Sequence, residues 1–168
     1  MARSHTRRFL QHLALDHLAV RRRFDDAAMT RIEQAIAQGE RTHRGQVQVA
    51  IEASLPVQRV IRHMTPRERA VEVFSQLRVW DTEENVGVLI YLLLADRAVE
   101  IVADRGIAKA VPDGQWREAC KEMEAALRRS AYADAVVAGV QRVSQLLAQH
   151  FPGDGGSRNE LGDRPIVL

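Results

Sequence analysis

The chain has 168 residues, 46% of them hydrophobic and 27% charged, which is typical of a single globular domain that buries its own core. Its single cysteine, Cys120, excludes a disulfide framework and the usual zinc signatures, and it suits a reducing compartment. No apolar run has the composition of a secretory signal or reaches the ~18 residues that span a membrane. We therefore predict a cytoplasmic protein without a transmembrane segment.

Basic residues are concentrated near the amino terminus, although the formal net charge of the chain is only +2. Residues 1–23 contain six arginines and three histidines against a single acid, Asp16. Such a segment contacts an acidic protein partner, a phosphate or an anionic membrane surface, or it is a solvated helix face. Apolar residues recur with rough helical spacing over 6–20. We predict that residues 1–24 form a basic amphipathic helical extension, packed on the body or on a partner.

Segments of helical and strand pattern follow this extension. Apolar residues three and four apart predict a helix over 25–42. Alternating polar and apolar residues predict a strand over 46–52 with one buried face. Thr65 and Glu68 form a capping-box pattern around Pro66 at the first helical position, which predicts the start of the next helix.

The centre of the chain has the pattern of a β-hairpin. Residues 86–94 are almost all apolar, as in a strand covered on both faces, and residues 98–103 return after a tight turn. Two more helices are predicted over 115–129 and 132–150. Because a helix joins the first two strands, we expect them to be parallel and the third to be antiparallel. Residues 25–151 are thus predicted to form an α/β domain, a three-layer α/β/α sandwich with a small mixed sheet.

Residues 152–168 contain a glycine-rich linker followed by an extended tail. The last five residues are mostly apolar and are the candidate partner-binding segment. They add a strand to a sheet edge, either that of this domain or that of a partner, or they form a disordered end. The candidate residues are Arg164, Pro165, Ile166, Val167 and Leu168.

Three central segments resemble a known family. They are Thr42–Gln46, Val79–Tyr91 and Val99–Ile107, and the tail shares the likeness. Together they resemble a small soluble bacterial branch of the TPM-domain family, over about 25–168. The resemblance implies an α/β/α sandwich. Some members of that family are described as acid phosphatases, some bind calcium or similar cations, and others are accessory factors in photosystem repair or for membrane proteins.

Two positions differ from the family pattern. Relatives tend to carry glutamate where Gln46 stands, and a second asparagine where Val86 follows Asn85. The first difference removes a carboxylate and the second removes a polar side chain. Both weaken what the resemblance implies about a metal or phosphatase site.

A cluster of acids at one end of the predicted sheet is the candidate cation site. The loop before the second strand and the turn after the third lie at the same end of the hairpin, and parallel strands bring the segment before the first strand to that end too. Carboxylate and amide oxygens suit Ca²⁺ or Mg²⁺, and a bound cation orients and polarises a phosphate. The alternative is that these residues are loop caps and solvated charges. The candidate ligands are Asp81, Glu83, Glu84, Asn85 and Asp104.

Other reactive side chains have simpler interpretations. His43 and His63 lack ligand partners at fixed spacing and are predicted to be surface residues, and Cys120 is predicted to be a small buried hydrophobe within a helix. The sequence lacks a phosphate-binding loop and a nucleophile elbow. Its basic residues are not interleaved with aromatic ones, which argues against nucleic-acid binding.

Three functions remain open. We favour a non-catalytic accessory module that binds a protein partner through the basic helix, the tail or both. The alternatives are a divalent-cation-dependent, acid-phosphatase-like hydrolase and a cation-binding domain without turnover. No catalytic residue is assigned.

Overall fold

The computed structural model describes residues 2–15, 17–153 and 159–168, which form eight helices and four strands. The predicted linker falls largely on residues 154–158, outside the described residues. The helices are α1 (Ala2–Ala14), α2 (His17–Arg23), α3 (Asp26–Glu40), α4 (Val57–Ile61), α5 (Pro66–Gln76), α6 (Arg105–Ala108), α7 (Asp113–Arg128) and α8 (Tyr132–His150). The strands are β1 (Gln46–Glu52), β2 (Gly87–Leu93), β3 (Ala98–Ala103) and β4 (Ile166–Val167).

The four strands form one mixed sheet in the order β3-β2-β1-β4. β1 and β2 are parallel, and β2 and β3 are antiparallel, which confirms both predicted orientations. β4 pairs in parallel with β1, with Ile166 opposite Ala50 and Val167 opposite Ile51. The tail is therefore a short edge strand of its own domain, the first of the alternatives predicted from the sequence.

Helices cover both faces of the sheet, which confirms the predicted α/β/α sandwich. One face packs against α3, α7 and α8 through apolar residues that include Val49 and Ile90. The other packs against α4 and α5 through residues that include Leu89 and Tyr91. Because successive side chains of a strand point to opposite faces, the nearly all-apolar sequence of β2 supplies both cores.

The strand β1 does not have the single buried face predicted from its alternating pattern. All seven of its residues are buried, including Gln46, Gln48 and Glu52. The polar face is covered because the tail and α5 supply hydrogen-bond partners to it. The backbone N–H of Glu160 donates to the Gln46 side chain at 2.7 Å, and Arg69 pairs with Glu52. Buried polar groups persist when they are paired in this way.

The amino-terminal extension is two helices rather than one, and it packs on its own domain. Phe9 of α1 packs against the core of the second face, whereas Val20 of α2 belongs to the core of the first face. The extension thus crosses from one face of the sandwich to the other. Two very short helices, α4 and α6, were not predicted, because segments this short carry no helical period.

The start of α5 follows the predicted capping box. The backbone N–H of Glu68 donates to the Thr65 hydroxyl at 3.2 Å, and the Glu68 carboxylate accepts from the Thr65 N–H at 2.7 Å. Pro66 occupies the first turn, where its missing N–H costs nothing. These contacts stabilise the helix that covers the second face of the sheet.

Candidate functional site

Three segments meet at the end of the sheet where the candidate cation ligands were predicted. The backbone N–H of Gln46 donates to Val86 at 3.0 Å, and that of Asp104 donates to Gly87 at 2.9 Å. The N–H of Gly106 donates to the Asn85 carbonyl at 3.2 Å. A side chain at Gly106 would lie 2.6 Å from that same carbonyl, so only glycine permits this approach. The strand register therefore brings the predicted loop segments together.

Two of the four acidic side chains at this end are paired with arginines. Asp81 accepts from Arg78 at 2.5 Å, and Glu84 accepts from Arg44 at 2.6 Å. Glu83 contributes its backbone N–H, which donates to a tail carboxylate at 3.0 Å. Among the described residues, no group of three or more histidine, cysteine, aspartate or glutamate side chains stands where it could hold a metal ion. A cation site formed by these residues stays a prediction.

Asp104 differs from the other candidate acids in being buried. It caps α6, with one carboxylate oxygen accepting from the Arg105 N–H at 2.6 Å. Its other oxygen, Oδ2, is buried and has no hydrogen-bond partner among the described residues. A buried acceptor without a partner is uncommon and costs free energy. Asp104 is therefore the predicted ligand with unmet capacity to bind a donor or a cation.

The tail is tied to the sheet at both of its ends. Near its start, Glu160 joins Gln46 to the loop that contains Glu83. Near its finish, the Leu168 N–H donates to Ile51 at 3.0 Å, and Pro165 is buried. Gln46 is thus a tail-binding residue. Partner binding by residues 164–168 stays a prediction, since part of their backbone is already paired with β1.

The prediction that His43 lies on the surface is wrong. His43 is fully buried, and its Nδ1 lies 3.0 Å from the Gly45 carbonyl, so that nitrogen carries the proton. Burial lowers the pKa of His43 to about 4. Its Nε2 and the Ser144 hydroxyl are both buried without hydrogen-bond partners in the described structure. His63, by contrast, is exposed as predicted.

Two buried charge clusters were not found from the sequence. In the first, Arg69 of α5 makes two hydrogen bonds to Glu52 at 2.9 and 3.1 Å, and the Tyr91 hydroxyl donates to Glu52 at 2.6 Å. Burial, followed by the Glu52 charge, raises the pKa of Tyr91 far above its usual range. The one sequence feature that pointed to this cluster was the acidic residue Glu52 at the end of a predicted strand. The cluster is closed to solvent and acts as a structural link between β1, β2 and α5.

The second cluster fixes the amino-terminal helix to the domain. Arg8 makes hydrogen bonds to both carboxylate oxygens of Asp96, at 3.0 and 2.9 Å, and to the Met64 carbonyl at 2.7 Å. His12 accepts the Leu55 N–H at Nδ1, at 2.9 Å, and therefore donates from Nε2 to Asp96 at 3.1 Å. Burial opposes ionisation of Asp96, but the hydrogen bonds from His12 and Arg8 outweigh it and hold the pKa of Asp96 below its usual range.

The opposite side of the same helix is apolar and open to solvent. Leu10 and Leu13, three residues apart on one face of α1, are 58% and 56% exposed, and Leu18 of α2 is 57% exposed. Arg7, Arg21 and Arg22 are also exposed, and they have no ion-pair partner within the described structure. We call these six residues the leucine surface. Leu10 and Leu13 are neighbours on an anchored helix, so their exposed side chains are available to a binding partner.

The fold defines a class of three-layer α/β/α domains built on a mixed sheet. The sequence matches the TPM domain over residues 22–146, and the chain belongs to the TPM-domain family. A solved relative is the NMR structure of the BA42 protein from the psychrophilic bacterium Bizionia argentinensis, which is 24% identical. The two superimpose with a TM-score of 0.71 over 84% of this chain and 93% of that chain, which shows a shared fold. No curated protein matches the chain.

None of the helices in the described ranges combines the length and the apolar composition that a membrane crossing needs.

Proposed function

We propose that this TPM-domain protein is a non-catalytic accessory module that binds a protein partner through the leucine surface. The observation that carries the proposal is the exposure of Leu10 and Leu13 on a helix whose other face is fixed by charged contacts. Burying a fully exposed leucine is worth roughly 1.5–3 kcal/mol, and Leu10 and Leu13, which are 58% and 56% exposed, retain a little over half of that each. A partner that covers both residues therefore gains a useful fraction of the free energy of a stable complex.

The anchoring of α1 favours binding without a large entropic cost. Arg8 and His12 hold the helix to Asp96 and Leu55, and the Ser54 hydroxyl donates to the Leu15 carbonyl at 2.9 Å. A helix that is ordered before binding loses little backbone freedom in the complex. The contacts that fix α1 are thus also contacts that prepare its outer face.

The charges beside the leucines indicate the chemistry of the partner. Arg7, Arg21 and Arg22 lack partners in the described part of the chain, so they favour an apolar groove with an acidic rim. Rim charges of this kind raise the association rate and select the orientation more than they increase affinity. A cytoplasmic location is part of the proposal, supported by the free thiol of Cys120, which suits a reducing compartment.

Cation binding is a second candidate because one buried oxygen of Asp104 lacks a partner. In this alternative, Asp104 and the neighbouring Glu84 bind Ca²⁺ or Mg²⁺ after Glu84 leaves Arg44. Calorimetric titration of chelator-treated protein with calcium tests it, with Asp104→Asn and Glu84→Gln as variants and Glu118→Gln as a control. Saturable heat that both variants lose supports a cation site, and phosphate-ester hydrolysis is then assayed. No heat up to millimolar calcium excludes a calcium site there.

The partner is identified by comparing captured proteins between matched variants. The tagged protein, a Leu10→Ser/Leu13→Ser variant and a Val71→Ser control are expressed in the cells from which the gene comes. Val71 is a suitable control because it is 46% exposed on α5, away from the leucine surface. The partner is the protein that the double variant loses and the control retains, provided that the purified pair re-forms the complex.

Three outcomes contradict the proposal. In one, every captured protein is retained equally by the double variant. In another, sedimentation shows that the leucines are covered by a second copy of this chain. Flotation with vesicles of anionic phospholipid distinguishes the remaining possibility of a membrane surface, and co-flotation that depends on Leu10 and Leu13 overturns the protein-partner assignment.

A further inference from the structure

β3 leaves one edge of the sheet without a neighbouring strand in the described structure. It pairs only with β2, whereas the other edge of the sheet carries β4. The hydrogen bond from the Asp104 N–H to Gly87 sets the phase of the antiparallel ladder. The backbone groups of Val99, Ile101 and Ala103 therefore point away from β2. Such an edge is a template for another extended chain.

A groove of about 560 Å³ runs along this edge, between α5 and α7. Val99, Ile101 and Ala103 form part of its floor, and Trp116 contributes an aromatic side chain. The indole Nε1 of Trp116 is buried and has no hydrogen-bond partner among the described residues. The groove therefore combines open-edge backbone with an apolar floor that suits the alternate side chains of a strand.

Three side chains currently contact the backbone of this edge. Arg67 of α5 donates to the Ile101 carbonyl at 2.6 Å, and Glu124 of α7 accepts from the Val99 N–H at 3.3 Å. The Cys120 sulfur lies within hydrogen-bonding reach of the Ile101 N–H. The Glu124 contact is long and therefore weak, and the Arg67 side chain is 54% exposed. These side chains occupy the positions that the backbone of an added strand would take, so a bound strand displaces them.

The groove is lined by three cations and three acids, and ion pairs within it and beside it leave two of the cations over. Glu100 lies 3.7 Å from Arg67, and Glu124 lies 3.2 Å from Arg128. Asp113 is in the first turn of α7, where the helix terminus offsets its charge. Within the described residues, the groove cations without an ion-pair partner are Arg117 and Lys121, which are four residues apart and line the same wall.

We infer that the groove beside β3 binds an extended acidic peptide, which adds a strand to the sheet and places its carboxylates against Arg117 and Lys121. The open edge selects an extended backbone, and the unpaired cations select acidic side chains. None of the described side chains of α1 or α2 lines the groove. This site is therefore separate from the leucine surface, and a test of one does not decide the other.

The probe for this site is a short fluorescent peptide that alternates glutamate and valine. One control peptide has the same side chains but an N-methylated backbone, which removes its N–H donors. A second replaces glutamate with lysine. Fluorescence anisotropy measures the dissociation constants, and NMR follows amide exchange at Val99, Ile101 and Ala103. We expect the acidic peptide to bind, to slow exchange at the edge amides, and to weaken as salt is added.

Charge reversal in the protein completes the test. The Arg117→Glu/Lys121→Glu variant should weaken binding by at least about tenfold, whereas Arg129→Glu, at the end of the same helix and outside the groove, should not. The inference is overturned if the N-methylated or the lysine peptide binds as well as the acidic one. It is also overturned if exchange at the edge amides does not slow at saturation, or if both protein variants bind alike.

Discussion

Changing Glu40 to glutamine should alter how the stability of the protein depends on pH. Burial, aided by the charge of Asp163 and opposed by a hydrogen bond from the Val47 N–H, raises the pKa of Glu40 from 4.5 to about 7. A carboxyl with a raised pKa in the folded state favours folding most below pH 4.5, and this contribution is lost as the pH rises through 7. A pKa shift of this size corresponds to a change of about 3 kcal/mol in the free energy of unfolding. Glutamine cannot ionise, and its carbonyl can still accept the Val47 N–H.

The assay is urea unfolding of the parent and of Glu40→Gln at several pH values from 4 to 8. The variant should gain stability relative to the parent as the pH rises, by about 3 kcal/mol between pH 4.5 and pH 8. Glu33→Gln on the same helix is the matched control and should show no such trend. A difference between Glu40→Gln and the parent that is the same at every pH would refute the reasoning, because it would mean that Glu40 does not titrate between these values.

Three further predictions follow from buried groups. Burial first, and then the Glu100 charge, raises the pKa of Cys120 from 9.0 to about 12. Iodoacetamide should therefore modify the thiol of the native protein about a thousandfold more slowly than that of the unfolded protein. Rates for the two states that lie within tenfold of each other would contradict this. Asp96→Asn should lower the free energy of unfolding by about 2 kcal/mol and speed amide exchange throughout α1. Unchanged exchange in α1 would show that the helix is held by other contacts. Arg69→Met should lower the free energy of unfolding, measured with urea, by about 3 kcal/mol, because it leaves the buried Glu52 charge unpaired. Adding Glu52→Gln should restore part of that loss.

Much of the fold was predictable because its signals are local. The bounds of β1 and β3 agree with the predicted strands at 46–52 and 98–103, and α8 agrees with the predicted helix at 132–150. The capping box fixed the start of α5, and the length of the crossover fixed the orientation of β2 relative to β1. These features depend on periodicity and on residues a few positions apart.

The burial of polar residues was not predictable, because it depends on contacts distant in sequence. Alternation in β1 indicated one exposed face, yet that face is covered by α5 and by a tail more than a hundred residues away. His43 has no distinctive neighbours in sequence, and only the packing of the folded domain buries it. The predicted loop acids do meet at one end of the sheet, but the sequence did not single out Arg78 as the partner of Asp81.

The measurement that tests the central claim most directly is a calorimetric titration of the purified protein with its purified partner. The parent, Leu10→Ser/Leu13→Ser and Val71→Ser are compared after their melting temperatures show that all three are folded. The account predicts that the double variant binds at least about tenfold more weakly than the parent, while Val71→Ser binds like the parent. Equal affinity of the parent and the double variant would contradict it.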